Sequence, residues 1–226
     1  HSIRRRQRQM CIRDSNQIIY DKTGDQHYDI ISAFIKSIRG SDPNAAVYWL
    51  ARMLTGGEDV KFIARRLLIL ASEDIGNANP TALVIANSTM QAVAAIGLPE
   101  SRIILSQCAT YLACSPKSNA AYQAINKAMA SVKETGNASV PLNLRNAPTQ
   151  LMKSMGYGAD YKYAHEFDKN FVIQEFLPEG LENTKFYSPG ENSREQVQRE
   201  FLKQRWKDKY NYCLLYTSDA ADDGLS

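Results

Sequence analysis

The sequence predicts an all-α protein, a compact array of short antiparallel helices followed by an irregular, aromatic-rich C-terminal arm. Three observations carry this expectation. Between Gln26 and Lys133 apolar residues recur at intervals of three and four, the period that gathers them on one face of a helix. Short Gly, Asp-Pro and Asn-Pro interruptions cut that pattern into segments, and connections this short leave neighbouring helices antiparallel or steeply crossed. After Pro141 the character changes. Tyr157, Tyr161, Tyr163, Phe167, Phe171, Phe176, Phe186 and Tyr187 are scattered among charges without helical or strand spacing.

The first helix is expected from about Gln26 to Arg39, with Tyr28, Ile31, Ile35 and Ile38 on its apolar stripe, Phe34 beside it and Gly40 closing it. Asp42 is placed to cap the second helix, with Pro43 at the first helical position, where a missing N–H costs nothing. Ala46, Val47, Leu50, Met53 and Leu54 face inward there, and Gly56-Gly57 ends it. Asp59 caps a third helix whose Val60, Ile63, Ala64, Leu67, Leu68 and Ala71 share a face; the run Leu67 to Leu70 is apolar all round and is expected to be buried on every side. Asn79-Pro80 opens a fourth helix that ends at Gly97, and Pro99 opens a fifth containing Ile104, Cys108, Tyr111 and Leu112. Ser118 caps a sixth, with Ala121, Ile125, Ala128, Met129 and Val132 facing in and Gly136-Asn137 ending it. Pro148 opens a short helix through Met155, the aromatic stretch follows as an extended arm packing through its rings, and Asn192 to Lys209 forms a highly charged, solvent-exposed helix. The helix spacings follow no fixed period, which excludes a solenoid.

The two ends read differently. Residues 5–14, RRQRQMCIRD, and residues 213–222, CLLYTSDAAD, can be encoded by opposite strands of one DNA string, a relation with no physical reason in a folded protein. Residues 1–15 and 213–226 are therefore expected to be translated sequencing-library adapter, set aside from fold reasoning. Their removal leaves 22 basic and 20 acidic residues of the 27 and 24 in the chain, a net charge of +2 that neither demands nor excludes a nucleic-acid partner. The basic run at residues 4–8 then says nothing about DNA. Cys108 and Cys114 remain, neither a CxxC pair nor a disulfide framework, and read as small buried hydrophobes in a reducing cytoplasm. No apolar run approaches the roughly 18 residues of a membrane span.

Chemistry is sparse. A phosphate-binding loop needs glycines, a Lys and a hydroxyl at fixed spacing, and Thr55-Gly56-Gly57 lacks the Lys and leads into a capped helix, so it reads as a helix stop. His27 and His165 lie far apart with no metal-ligand spacing, and each reads as a structural histidine; no catalytic, cofactor or metal residue is assigned. Glu73 and Asp74 end a helix, where anions are unfavourable, which calls for a cation such as Arg65 or Arg66. Those two arginines are also candidates for DNA phosphate contact, a reading set behind a solvated or salt-bridged face. Lys117, at a helix N-terminus with Ser118, is a further anion-contact candidate, although such a Ser is more often only a cap. The arm could stack single-stranded bases, yet few basic residues are interleaved, so Tyr157, Tyr161, Tyr163 and Phe167 are assigned to subunit contact.

Several blocks are long enough to be specific: residues 20–43, YDKTGDQHYDIISAFIKSIRGSDP; then YWLARML, IARRLL, ASEDIGNANP, YLACSPKSNAAY, PLNLRNAP and GYGADYKYAHEF, in order between Tyr48 and Phe167. Together they resemble the C-terminal half of the replication-associated recombination protein A family, also called MgsA, AAA+ ATPases related to the Werner helicase-interacting protein. The resemblance implies that residues 16–24 end a lid, 25–140 form a clamp-loader-collar-like oligomerisation domain, and 141–212 are a C-terminal extension with the aromatic arm and a charged helix. It implies a homotetramer, with ATP and Mg bound in an upstream AAA+ core rather than here. It further implies DNA at forks or single-strand/double-strand junctions and single-strand-binding protein as partners, no membrane, and a cytoplasmic, nucleoid-associated setting. The fragment itself is expected to be no enzyme, and the parent a DNA-stimulated ATPase. The competing reading is a stand-alone helical nucleic-acid-binding module.

Overall fold

A computed structural model describes residues 25–212, with side chains from Tyr28 onward. Residues 1–15, 16–24 and 213–226, and the side chain of His27, lie outside that description. Among the described residues there are eight α-helices and no strand, so the chain is all-α as expected. Its contacts divide it into two units, one ending at Asn119 and one beginning at Ala120, a boundary that precedes the change in composition at Pro141.

The first unit holds α1 (Asp25–Arg39), α2 (Pro43–Thr55), α3 (Val60–Leu70), α4 (Thr81–Ile96) and α5 (Ser101–Ala113). The boundaries follow local chemistry. Asp42 Oδ1 accepts the Ala45 N–H at 3.0 Å with Pro43 in the first turn, and Asp59 Oδ1 accepts the Lys61 N–H at 3.0 Å. α4 ends at Gly97, whose φ of 72° a side chain would resist. α1 packs on α2 and α3 on α4, while α5 touches all four of the others. It can do so because its inward residues include Ala109 and Ala113 beside Leu105, Cys108 and Leu112, all buried. Phe34, Ile38, Leu50, Met53, Ile63, Leu67 and Ile75 complete this core. Each such side chain contributes about 1.5–3 kcal/mol through removal from water.

Three burial expectations change in this unit: Cys114, expected with Cys108 as a small buried hydrophobe, is exposed at the end of α5 while Cys108 is buried. The α1 stripe is Ile30, Ile31, Phe34 and Ile38, centred on Phe34, which rotates Tyr28 out of the core to 70% exposure and leaves Ile35 at the edge. α3 is not buried all round near its end, because Ile69 lies on the side away from the α4 and α5 contacts and is exposed while Leu67 and Leu70 are buried.

The second unit holds α6 (Ala120–Thr135), the short α7 (Gln150–Ser154) and α8 (Ser193–Trp206), with single 3₁₀ turns at Leu142–Leu144, Ala164–Glu166 and Asp168–Asn170. α6 buries no residue, so the expected inward face through Ile125, Met129 and Val132 is instead turned outward. The period marks a helix's apolar face correctly but does not say what, if anything, covers it. The arm is irregular, as expected, yet tied down: the Gln174 carboxamide both accepts from the Lys162 N–H at 3.3 Å and donates to the Lys162 carbonyl at 3.0 Å.

α8 is less solvated than its charge implies. Asn192 caps it by accepting the Glu195 N–H at 3.0 Å and donates from Nδ2 to Glu195 Oε2 at 2.5 Å, and the Glu195 side chain is wholly buried. At the other end Trp206 is edge-on to Phe171 and Tyr210, with ring centroids 5.3 and 5.2 Å away, and Phe176 stands at 6.3 Å. An aromatic cluster of this kind gives the arm the packing that its sequence, without period, does not announce.

Candidate interaction surfaces

The most specifically built part of the first unit is the segment after α3. The helix does not stop at Leu70 but widens into a π turn over Ala71–Ile75 and then tightens into a 3₁₀ turn over Gly76–Ala78. Gly76 is required there twice over: its φ is 48°, and a Cβ would lie 3.1 Å from the Ser118 carbonyl oxygen. The Ser118 N–H donates to the Asp74 carbonyl at 2.8 Å, and Asn79 Nδ2 donates to the Tyr111 hydroxyl at 3.0 Å and to Ser115 Oγ at 3.1 Å. The cation that compensates the two carboxylates is Arg39 rather than Arg65 or Arg66. Arg39 Nε meets Asp74 Oδ1 at 2.7 Å, and its Nη2 lies 3.8 Å from Glu73. Arg39 arrives from the end of another helix, 35 residues away in sequence, a pairing no local spacing announces. Asp74 Oδ2 is buried without a hydrogen-bond partner among the described residues.

Lys117 directs its protons into the chain. Its Nζ reaches the carbonyls of Leu112 at 3.1 Å, Ala113 at 2.9 Å and Ser115 at 2.6 Å, and Ser41 Oγ at 3.0 Å. It thereby satisfies carbonyls that the end of α5 leaves open. Burial pushes its pKa below the usual 10.5, against the opposing pull of Cys114 and Asp74.

Arg65 and Arg66 sit on α3, away from the Lys117 turn in sequence. Arg65 is exposed, its guanidinium 5.9 Å from the Phe62 ring centroid. Arg66 is partly buried, and its Nε has no hydrogen-bond partner among the described residues. Arg52 repeats the Arg65 arrangement on α2, 5.4 Å from the Trp49 ring centroid. Both are aromatic-to-Arg pairs three residues apart, a spacing visible in the sequence that drew no attention to Arg52.

The four aromatic candidates are not one cluster. Tyr157 is engaged from within the second unit by Arg145, which donates to its hydroxyl at 3.2 Å and lies 5.1 Å from its ring centroid. Tyr161, Tyr163 and Phe167 are exposed, Tyr163 leaning on His165 with centroids 5.2 Å apart. The aromatic residues that do cluster, Phe171, Phe176, Trp206 and Tyr210, came from the arm and the last helix together. A salt bridge closes that cluster, Lys209 Nζ to Glu175 Oε2 at 2.7 Å. Burial works against both charges, but the mutual hydrogen bond prevails and, with the Leu177 and Phe176 N–H groups on Glu175, holds Glu175 below and Lys209 above their usual values.

Two open cavities accompany these features. One of about 590 Å³ in the second unit is lined by Val140, Leu142, Arg145, Glu175, Glu179 and Glu182 among others. The other, about 370 Å³, lies against α2 and α5 between Val47, Leu54, Arg102 and Ile103.

The family model described as MgsA AAA+ ATPase C terminal matches residues 40–206. The chain belongs to that family. A second model, the AAA C-terminal domain, matches residues 2–39, beginning inside the segment set apart by its opposite-strand relation and ending at Arg39. The chain is 50% identical over 171 residues to the replication-associated recombination protein A of Coxiella burnetii, covering 75% of this chain and 39% of that protein. It is 46% identical over 171 residues to the protein of the same name from Escherichia coli K12, covering 75% and 38%. To the ATPase WRNIP1 of Dictyostelium discoideum it is 45% identical over 187 residues, covering 80% and 21%. The chain thus spans less than half the length of these relatives. The seam between the two family models, after Arg39, is not a seam in the fold, because α1 lies before it and shares one core with α2 to α5.

Proposed function

We propose that this chain is the assembly part of a DNA-dependent AAA+ ATPase of replication and recombination, holding copies of the protein together while ATP turnover takes place in a core encoded upstream. The observation that carries this reading is the number of large apolar side chains left on the outside of a chain with a well-formed core: Ile103, Leu151, Met155 and Val132 are each more than half exposed. Singly such side chains are ordinary on a monomer, but in this number they leave apolar surface available to a partner subunit. The proposal extends to a homotetramer, a cytoplasmic setting and single-strand-binding protein as a neighbour. Among the described residues no helix is long and apolar enough to cross a membrane. Light scattering on the 226-residue chain is expected to give a mass of several copies, about four, and a monomer at every concentration would refute the reading.

A second reading, direct DNA contact, is favoured by one observation: Arg65 is exposed on α3, so its guanidinium can meet a phosphate, while the neighbouring Arg66 is only partly exposed and its Nε is buried. Changing both to Ala is expected to weaken binding to forked DNA and reduce its salt slope by about 1–2. An unchanged slope would remove these two residues from the interface.

A further inference from the structure

α6 presents its apolar residues in an unusual way. Tyr122, Ile125, Met129 and Val132 are 42%, 55%, 54% and 64% exposed. The partly buried positions of the same helix are the small residues Ala120, Ala124, Ala128 and Ser131. The helix is therefore covered along its small side chains and bare along its large ones, the reverse of what burial of apolar area favours in a finished surface.

The bare stripe also has a definite geometry. Its members are spaced three, four and three residues apart, the alternation that forms the seam between two paired helices. The charges on the helix sit elsewhere: Lys127 and Glu134 fall opposite the seam, and the flanking positions are Ala121, Asn126, Ala128, Lys133 and Thr135. One flanking charge in five positions, Lys133, offers at most a single ion pair to a strongly acidic surface and none to a basic one, and little repulsion to an identical one. A helix with a neutral, evenly spaced seam is best matched by a second copy of itself.

We propose that the Tyr122–Ile125–Met129–Val132 face of α6 is an interface at which two copies of this chain pair, helix on helix. The proposal rests on the assembly reading and gives it a surface. In a two-fold pair the same patch serves both partners, so Ile125 and Met129, at the middle of the seam, lie near the axis in either helix polarity.

The experiment compares the 226-residue chain with its Ile125→Glu, Met129→Glu variant by sedimentation across the micromolar range, with circular dichroism as the check on folding. The parent chain is expected to be multimeric and the variant to lose at least a factor of two in mass at unchanged helicity, with Lys127→Glu on the opposite side leaving the mass as it was. A variant that keeps the parent's mass overturns this surface while leaving assembly intact, whereas a parent chain that is monomeric throughout overturns both. Should the double variant lose helicity, a short bismaleimide on Met129→Cys, with Cys11, Cys114 and Cys213 changed to Ser, decides the matter. Linked pairs support the seam, and their absence at concentrations where the chain is multimeric rejects it.

Discussion

At the scale of single residues, the Arg39–Asp74 pair shows how much depends on one distant side chain. Arg39 is half exposed, but its partner is not: Asp74 is 9% exposed and already has one oxygen without a hydrogen bond among the described residues. Removing Arg39 would leave that carboxylate with neither oxygen satisfied by a side chain, a cost of about 1–3 kcal/mol. Arg65, on an exposed face, has no comparable dependent, and its removal is expected to stay within about 0.5 kcal/mol. Thermal unfolding of Arg39→Ala and Arg65→Ala checks this, with a lower Tm expected only for the first and equal values counting against it. Caps and glycine stops were readable from the sequence because each acts within four residues, as Asp42 and Asp59 do. The compensating cation was not, because proximity created by folding leaves no local trace, and spacing pointed to Arg65 and Arg66 instead.

At the scale of elements, α8 and the arm stabilise one another through charge as well as rings. Glu175 has a depressed pKa, so its contribution is present above the usual 4.5 and is lost as pH falls through the folded value. Lys209 has a raised pKa, so its contribution is full below the usual 10.5 and is lost as pH rises through the folded value. The salt bridge therefore works at full strength between those limits, and its loss costs about 1 kcal/mol. In a Trp49→Phe background, Trp206 emission is expected to hold steady through neutral pH and shift red below about pH 4.5. Glu175→Gln should remove that acid step, and an identical acid step in the variant would show that another group controls the cluster. The helices themselves were legible in type and order, since their apolar periods are long and their punctuation is local. What faces what was less so: α1 proved rotated about Phe34, and α6 bare, because a period marks an apolar face without specifying its cover. The arm gave no period at all, and its order comes from rings that meet only once α8 is in place.

At the scale of the whole molecule, the two proposed contacts differ in physics and can be separated by solution conditions. The chain carries a formal charge of only +3, so long-range attraction to DNA is weak, and any DNA contact through Arg65 and Arg66 depends on counterion release. Raising salt should weaken it steadily. Pairing through an apolar seam releases no counterions and buries apolar area, which salt does not screen and which gives a negative heat-capacity change on association. Sedimentation of the chain alone is therefore expected to show a mass nearly independent of salt between 50 and 500 mM, while calorimetric dilution shows a dissociation enthalpy that changes steadily with temperature. Forked-DNA binding followed over the same salt series should fall, so that assembly persists after DNA is released. If mass and DNA binding declined together along that series, the copies would be held by charges or by the DNA itself, and the apolar seam would have no part in assembly.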